Sequence, residues 1–386
     1  MPKLLTTLKR TDFSIYQRSI KGTSSHYIPG LDGLRAISVL LVVIAHAGFA
    51  RYVPGDLGVT VFFFISGFLI TNLLISEIDA SRTINIQQFY IRRYLRLSPE
   101  LYFFVLVCTL VSFQFYSVPW LDTLGSLFYF QNYVRIFFPT ETPDTPLTFS
   151  HLWSLSVEEH FYLIMPSFIW MFRRRLDVFF WVLVALCIIA PAYRLFAFEY
   201  INPQLESYAS IYTDRATETR FDSIIYGCLL ALFARKGKLF GIQPAPVTLL
   251  LLLCSALGIL LSILLRTDLF KHVWKFTVQG IALFAGTYAL YTAKDIVRPI
   301  FQILESNLFR VTGRLSYGIY LWHLFPIWFI RHAEANGTFP DRDWRINIAI
   351  VIGSLIFSYV AAYISEQALL RPISKLRRRF GSAVAN

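Results

Sequence analysis

Ten apolar stretches dictate what this chain can become. They lie at about 36–50, 57–75, 97–117, 151–172, 177–198, 221–234, 246–265, 274–292, 315–331 and 346–366. Each is long enough, or nearly so, to cross a hydrocarbon layer about 30 Å thick as a helix rising about 1.5 Å per residue. A backbone in hydrocarbon must satisfy its own N–H and C=O groups, so such segments are helices. Composition agrees: 55% of the 386 residues are hydrophobic, 16% are charged and 17% are aromatic, outside the range of soluble domains and suited to aromatic belts at two interfaces. The expected fold is all-α, a polytopic integral membrane bundle of about ten transmembrane helices.

An eleventh stretch, "PWLDTLGSLFYFQNYVRIFFP" at 119–139, carries Asp122, Gly125, Gln131, Asn132 and Arg135. Charge decides its status. Left out as a span, it allows 25 of the 36 Lys and Arg to fall on one side and 11 on the other. The heavier side holds the N-terminal tail, "RRYLR" at 92–96, Arg173 to Arg175, "RKGK" at 235–238, the 293–314 connection and "LRRRF" at 376–380. Basic residues collect in cytoplasmic loops, so both termini are expected in the cytoplasm. The 119–139 stretch then becomes a re-entrant or interfacial segment in an outer loop. The organisation expected is a cytoplasmic tail at 1–34, a membrane domain at 35–370 and a basic cytoplasmic tail at 371–386. No cleavable signal is expected at the start, which is polar and basic. The net charge of +12 belongs to these loops, and nucleic acid is not an expected partner. Cys108, Cys187, Cys228 and Cys254 sit in apolar runs without paired spacing and read as small buried hydrophobes. No metal site is expected.

Ionisable residues inside spans cost several kcal/mol each and need a cavity or a partner, so they mark candidate function. In "GLRAISVLLVVIAHAG" Arg35 and His46 are 11 positions apart, about 20° past three helical turns and roughly 16 Å along the axis. They share a face but not a depth. "HLWSLSVEEHFYLIMP", 151–166, gathers His151, Trp153, Ser154, Glu158, Glu159 and His160 above Pro166, which is expected to kink the helix. Ser154 and Glu158 are i, i+4 neighbours, whereas Glu159 points about 100° away. Arg93 and Arg96, three apart at the entry to the third span, suit a phosphorylated ligand or plain interfacial anchoring, and spacing alone does not choose. Arg220 and Asp222 stand at the outer mouth of the sixth span. Tyr317, Tyr320 and His323 run along the ninth, the last two i, i+3 and able to wall a sugar site.

At these residues the sequence resembles the bacterial acyltransferase type 3 family, membrane enzymes that place acyl groups on cell-surface carbohydrates. The resemblance runs from about Tyr27 to about Glu366. It rests on "IPGLDGLRAISVLLVVIAHAG", "GVTVFFFISGFLIT", "RRYLRLSP", "HLWSLSVEEHFYLIMP", "TRFDSIIYG" and "GRLSYGIYLWHL", in that order. It implies an acyl-CoA donor, acetyl-CoA above all, as substrate rather than as a permanently bound cofactor. It also implies a catalytic His46 with Arg35, Arg93 and Arg96 around the donor. Thr60 stands where relatives often carry Asp, and "QALLRP" follows Glu366 where an earlier proline is usual, so neither position is given a role. Combined with the residue reading, the resemblance leads to the expectation of an O-acyltransferase in the bacterial inner membrane. His46 serves there as general base or acyl carrier, oriented by Glu158. A hydroxyl of a saccharide (lipopolysaccharide O-antigen, exopolysaccharide or a similar glycan) enters past Trp153, Ser154, Arg220, Asp222, Tyr320 and His323. Association with further copies is left open. The rival reading is a transporter or flippase of a lipid-linked saccharide or anion, which predicts inverted repeats; none is visible.

Overall fold

The computed structural model describes residues 28–115, 118, 120–138, 149–203, 209–235, 244–292, 297–338, 343–378 and 380. Residues 1–27 of the tail expected at 1–34, residues 139–148 of the outer loop and the basic residues at 236–238 lie outside them. The described chain is helical, without strands. Helices α1 (Leu31–Ile44), α2 (Gly55–Ser81), α3 (Ile86–Phe115), α6 (Trp153–Met171), α7 (Leu176–Phe196), α9 (Thr217–Arg235), α10 (Ala245–Leu264), α11 (Lys275–Thr292), α13 (Asn307–Trp322) with α14 (Leu324–Ala335), and α15 (Trp344–Ser365) occupy all ten apolar stretches. Shorter helices are α4 (Trp120–Leu127), α5 (Gln131–Phe137), α8 (Ala209–Arg215), α12 (Arg298–Leu304) and α16 (Arg371–Arg378). The protein is an all-α membrane bundle that crosses the bilayer repeatedly.

Six helical stretches are long and apolar enough to cross a membrane by length and composition. Those containing α6, α9, α11 and α13 fall short of that measure, and α9 shows why. Of its 19 residues 14 are buried, Arg220 and Asp222 among them, so protein rather than lipid receives its side chains. In α10 the pattern is inverted: Thr248 and Ser262 alone are buried, while Leu249, Leu250, Leu253, Leu257, Leu260, Leu261 and Leu264 face outward. That surface suits hydrocarbon, each Leu contributing about 0.3–0.6 kcal/mol to insertion. Cys254 lies on this exposed helix, so the reading of all four cysteines as buried holds for Cys108, Cys187 and Cys228 only.

The 119–139 stretch is two short helices, α4 and α5, joined through Tyr129 at φ 59°. With 8 and 7 residues, they rise only about 10–12 Å at about 1.5 Å per residue and cannot span. Their polar side chains turn inward: Arg135 reaches Asp122 at 2.7 Å and Gln131 Nε2 donates to Asp122 at 3.0 Å. Helix α6 runs unbroken through Pro166, and His151 precedes it in a 3-10 turn, Ser150–Leu152, rather than lying within it.

Cross-links sort the helix ends into two sets. At one end Asp79 pairs with Arg235, Arg92 with Glu77, and Arg314 with Glu366. At the other, Arg266 donates to the Arg51 carbonyl, Lys275 pairs with Asp56, and Arg331 donates to the carbonyl of His46. Helix α2 links one set to the other, through Asp79 and Glu77 at one end and Asp56 at the other, and α13 with α14 does so through Arg314 and Arg331. The first set is called here the arginine-rich end.

Candidate active site

Between α2, α3, α6, α13 and the tail of α15 lies a cavity of about 500 Å³. Five arginines line it, Arg35, Arg93, Arg96, Arg314 and Arg371, with Glu100, Glu158 and Glu366 as the acids. Its mouth is at the arginine-rich end, where Arg371 is exposed and the side chain of Arg314 is 57% exposed. Away from the mouth its wall includes Ser154, Tyr320, Phe62 and Phe63. Among the described residues four π-helical turns interrupt the bundle. One of them, Glu366–Leu370, bends the end of α15 over the mouth and places Glu366 and Leu370 in the wall. Such turns often mark functional sites.

Arg93 is held from two sides. Its guanidinium lies 3.5 Å from the Tyr162 ring centre, and its Nε sits 3.7 Å from Glu159 Oε1. Glu159 thus partners a cavity arginine, although its direction along α6 gave it no shared role with Glu158. Arg93 Nε makes no hydrogen bond among the described residues, which leaves a buried cationic donor for a ligand. Glu158 is hydrogen-bonded by Ser66 and by Tyr162, the latter at 3.1 Å. Tyr320 donates to the His151 carbonyl at 2.6 Å, so at 2.7 Å from Ser154 Oγ it must be the acceptor.

His46 does not meet Glu158. It occupies the π-helical turn Ala45–Phe49 that ends α1, and its Nδ1 lies 3.0 Å from Nε2 of His323. The rings stack at 5.1 Å. His323 is completely buried behind Tyr320, at 5.6 Å between ring centres, rather than on the cavity wall where a sugar would touch it. Pro326 explains the local break between α13 and α14: its ring has no N–H and crowds the carbonyl four residues earlier, and the helix gives way at His323. The cavity therefore reaches Tyr320, and the histidine pair lies just past it toward the opposite end.

Three expected acceptor contacts fall elsewhere. Asp222 is fully buried in a two-bond ion pair with Arg194, both bonds 2.9 Å, and Arg194 also donates to the carbonyls of Val273 and Thr219. That pair ties α7, α9 and α11 together. Arg220 donates to the carbonyl of Asp214 and to Thr60 Oγ1, and stacks 3.6 Å from the Phe276 ring centre. Thr60, given no role from sequence, is thus its partner. Trp153 faces Arg220 and Phe63 rather than the cavity. Buried charges need partners, and in Arg220 and Asp222 the partners are protein. The sequence reading missed the extra cavity arginines, Arg314 and Arg371, because basic residues at helix ends look like anchors.

A polytopic all-α bundle enclosing an arginine-lined cavity defines a multi-pass membrane protein with an internal site. The chain belongs to the acyltransferase family: the pattern described as an acyltransferase domain matches residues 28–365. Among curated proteins it is 28% identical over 364 residues to the peptidoglycan O-acetyltransferase OatA of Listeria monocytogenes, covering 90% of this chain. It is also 28% identical over 379 residues, 94% of this chain, to the O-acetyltransferase OatA of Staphylococcus aureus. The chain spans 57% and 60% of the length of these two relatives. No solved structure matches it.

Proposed function

We propose that this protein is an acyl-CoA-dependent O-acetyltransferase of a cell-surface saccharide, working from the cytoplasmic side of the bacterial inner membrane. The observation that carries the reading is the cavity: five arginines at one end, neutral hydroxyls and aromatic rings at the other, and His46 just past Tyr320. Arginine presents planar forks to phosphate oxygens, so Arg93, Arg96, Arg314 and Arg371 receive the phosphates of the donor at the mouth. Arg35, further in along α1, guides the acyl-pantetheine arm, and the thioester comes to rest by Tyr320 and Ser154. The acceptor hydroxyl enters from the opposite end. His46 takes its proton, the oxygen attacks the thioester carbonyl, a C–O bond forms and the C–S bond breaks. The CoA thiolate leaves and recovers the proton from His46. Glu158 lines the donor passage instead of orienting His46.

The arginine-rich end, which holds the heavier share of basic residues, faces the cytoplasm in this reading, with both chain termini there. The name of the Listeria relative adds peptidoglycan as an acceptor class, beside lipopolysaccharide O-antigen and exopolysaccharide. The test is acceptor-dependent release of CoA from labelled acetyl-CoA by purified protein in vesicles, with each glycan class supplied in turn. Release by the wild type and none by His46→Ala at equal folding supports the reading. Equal release by both removes His46 from the chemistry, and no release with any acceptor moves the transporter reading ahead.

A further inference from the structure

His323 determines which nitrogen of His46 is free to act. Its Nδ1 lies 2.7 Å from the carbonyl oxygen of Tyr320. A carbonyl only accepts, so that nitrogen carries hydrogen. In a neutral ring the other nitrogen, Nε2, then holds a lone pair and can only accept. Nε2 faces His46 Nδ1 at 3.0 Å; hence His46 must donate from Nδ1. The remaining nitrogen of His46, Nε2, is left with the lone pair. His46 is partly exposed.

The frame around the pair is rigid. His323 is completely buried, its own carbonyl accepts from Ser354 Oγ at 2.6 Å, and its ring meets the edge of His151 at 5.5 Å. His151 is fixed in the same way, its Nε2 lying 3.2 Å from the Leu321 carbonyl. Two backbone carbonyls of one helix end thus set the hydrogen positions of two neighbouring rings, and through His323 of a third.

We propose that His323 is a positioning residue that holds His46 as its Nδ1–H tautomer, so that Nε2 is the nitrogen that takes the acceptor proton. This deepens the acyl-transfer reading above and rests on it for the role of His46. The residue that orients the base is therefore a second histidine from the ninth span, 277 positions away, not a carboxylate. An imidazole in this place keeps the interior free of a further buried charge, which a carboxylate would bring.

The test is nitrogen-15 magnetic resonance of the full chain, labelled at histidine, in lipid nanodiscs at pH 8. His46 is assigned by the signal lost in His46→Gln. The expected result is a protonated Nδ1 and an unprotonated Nε2 at His46 in the wild type, with that preference lost in His323→Leu. A wild-type His46 protonated at Nε2 overturns the proposal. Kinetics give a second readout. His323→Leu is expected to lower kcat by about 10²- to 10⁴-fold, the range of a misdirected general base, with KM for acetyl-CoA unchanged. His323→Gln, whose amide oxygen can accept from Nδ1–H, is expected to recover most of that loss. If Leu and Gln variants turn over alike, at wild-type rate or at the same reduced one, the positioning role is wrong. Should His323→Leu fail to fold, the wild-type tautomer and the Gln variant still decide. Turnover by His46→Gln would sink the acyl-transfer role while leaving the tautomer measurement standing, so the two failures are told apart.

Discussion

Asp222 shows how one carboxylate can be structural while its neighbours in sequence look functional. Both of its oxygens are bonded to Arg194, and neither partner is exposed. A charge of either sign left alone there would be stranded in a low-dielectric interior. Asp222→Ala is therefore expected to destabilise the protein by about 3–5 kcal/mol, read as a clear fall in the thermal unfolding midpoint in detergent; an unchanged midpoint refutes the account. Arg96 behaves oppositely, since it lines the cavity. Arg96→Gln is expected to raise KM for acetyl-CoA more than it lowers kcat, by about 10- to 100-fold for the loss of about 1.5–3 kcal/mol of charged hydrogen bonding. An equal KM in the variant would remove Arg96 from the donor site. Much of this was legible at the residue scale before any coordinates. The helical period put Arg35 and His46 on one face, and Arg35, Arg93, Arg96, Ser154, Glu158 and Tyr320 do line one cavity. What periodicity cannot carry is a partner far along the chain. His46 meets His323, and Asp222 meets Arg194, through tertiary packing that no local spacing encodes.

Among the elements, α2 and α9 make a close backbone approach beside the cavity. Gly67 on α2 faces the Ile224 carbonyl, and Gly227 on α9 faces the Phe64 carbonyl, each so closely that an added Cβ would overlap backbone. Small residues let membrane helices pack backbone to backbone, where dispersion and hydrogen bonds rather than hydrophobicity provide the attraction. This contact seats Phe63 and Ser66, two wall residues, beside α6 and α9. Gly227→Val is expected to abolish recovery of monodisperse protein in detergent, because backbone cannot yield as a flexible side chain does. Gly353→Val, at a glycine with open space around it, is the control and should purify normally. Equal yields of the two would show that the α2–α9 contact tolerates separation. Hydropathy located the ten long helical stretches because the requirement for internal hydrogen bonding acts on each segment alone. It could not place the π-helical turns at His46 and Glu366, which arise where packed neighbours shift a helix by one residue. Nor could it foresee the inward-facing polar residues of α4 and α5, whose burial depends on what lies behind them.

On the scale of the whole molecule, the two sets of helix ends impose a topology that charge alone then orients. The contacts of Asp79 with Arg235 and of Arg51 with Arg266 require the turn after α2 and the turn after α10 to lie on opposite faces. In the proposed function, the heavier load of Lys and Arg turns the first of these faces toward the cytoplasm. The cavity opens there, at Arg314 and Arg371, while His46 leans toward the opposite face through its carbonyl contact with Arg331. The proposed transfer needs this arrangement, in which a cytosolic donor and an outer acceptor meet within one bundle without either crossing it. The consequence is measurable in a chain with Cys108, Cys187, Cys228 and Cys254 replaced by serine or alanine. A single cysteine at Arg174 or Arg82 should resist an impermeant maleimide applied to intact spheroplasts and react only after lysis. One at Asp268, a strongly exposed position in the turn after α10, should react without lysis. Labelling of Arg174→Cys from outside would invert the molecule and turn the arginine-lined mouth away from cytosolic acetyl-CoA, which would end the proposed direction of transfer even if the fold stood.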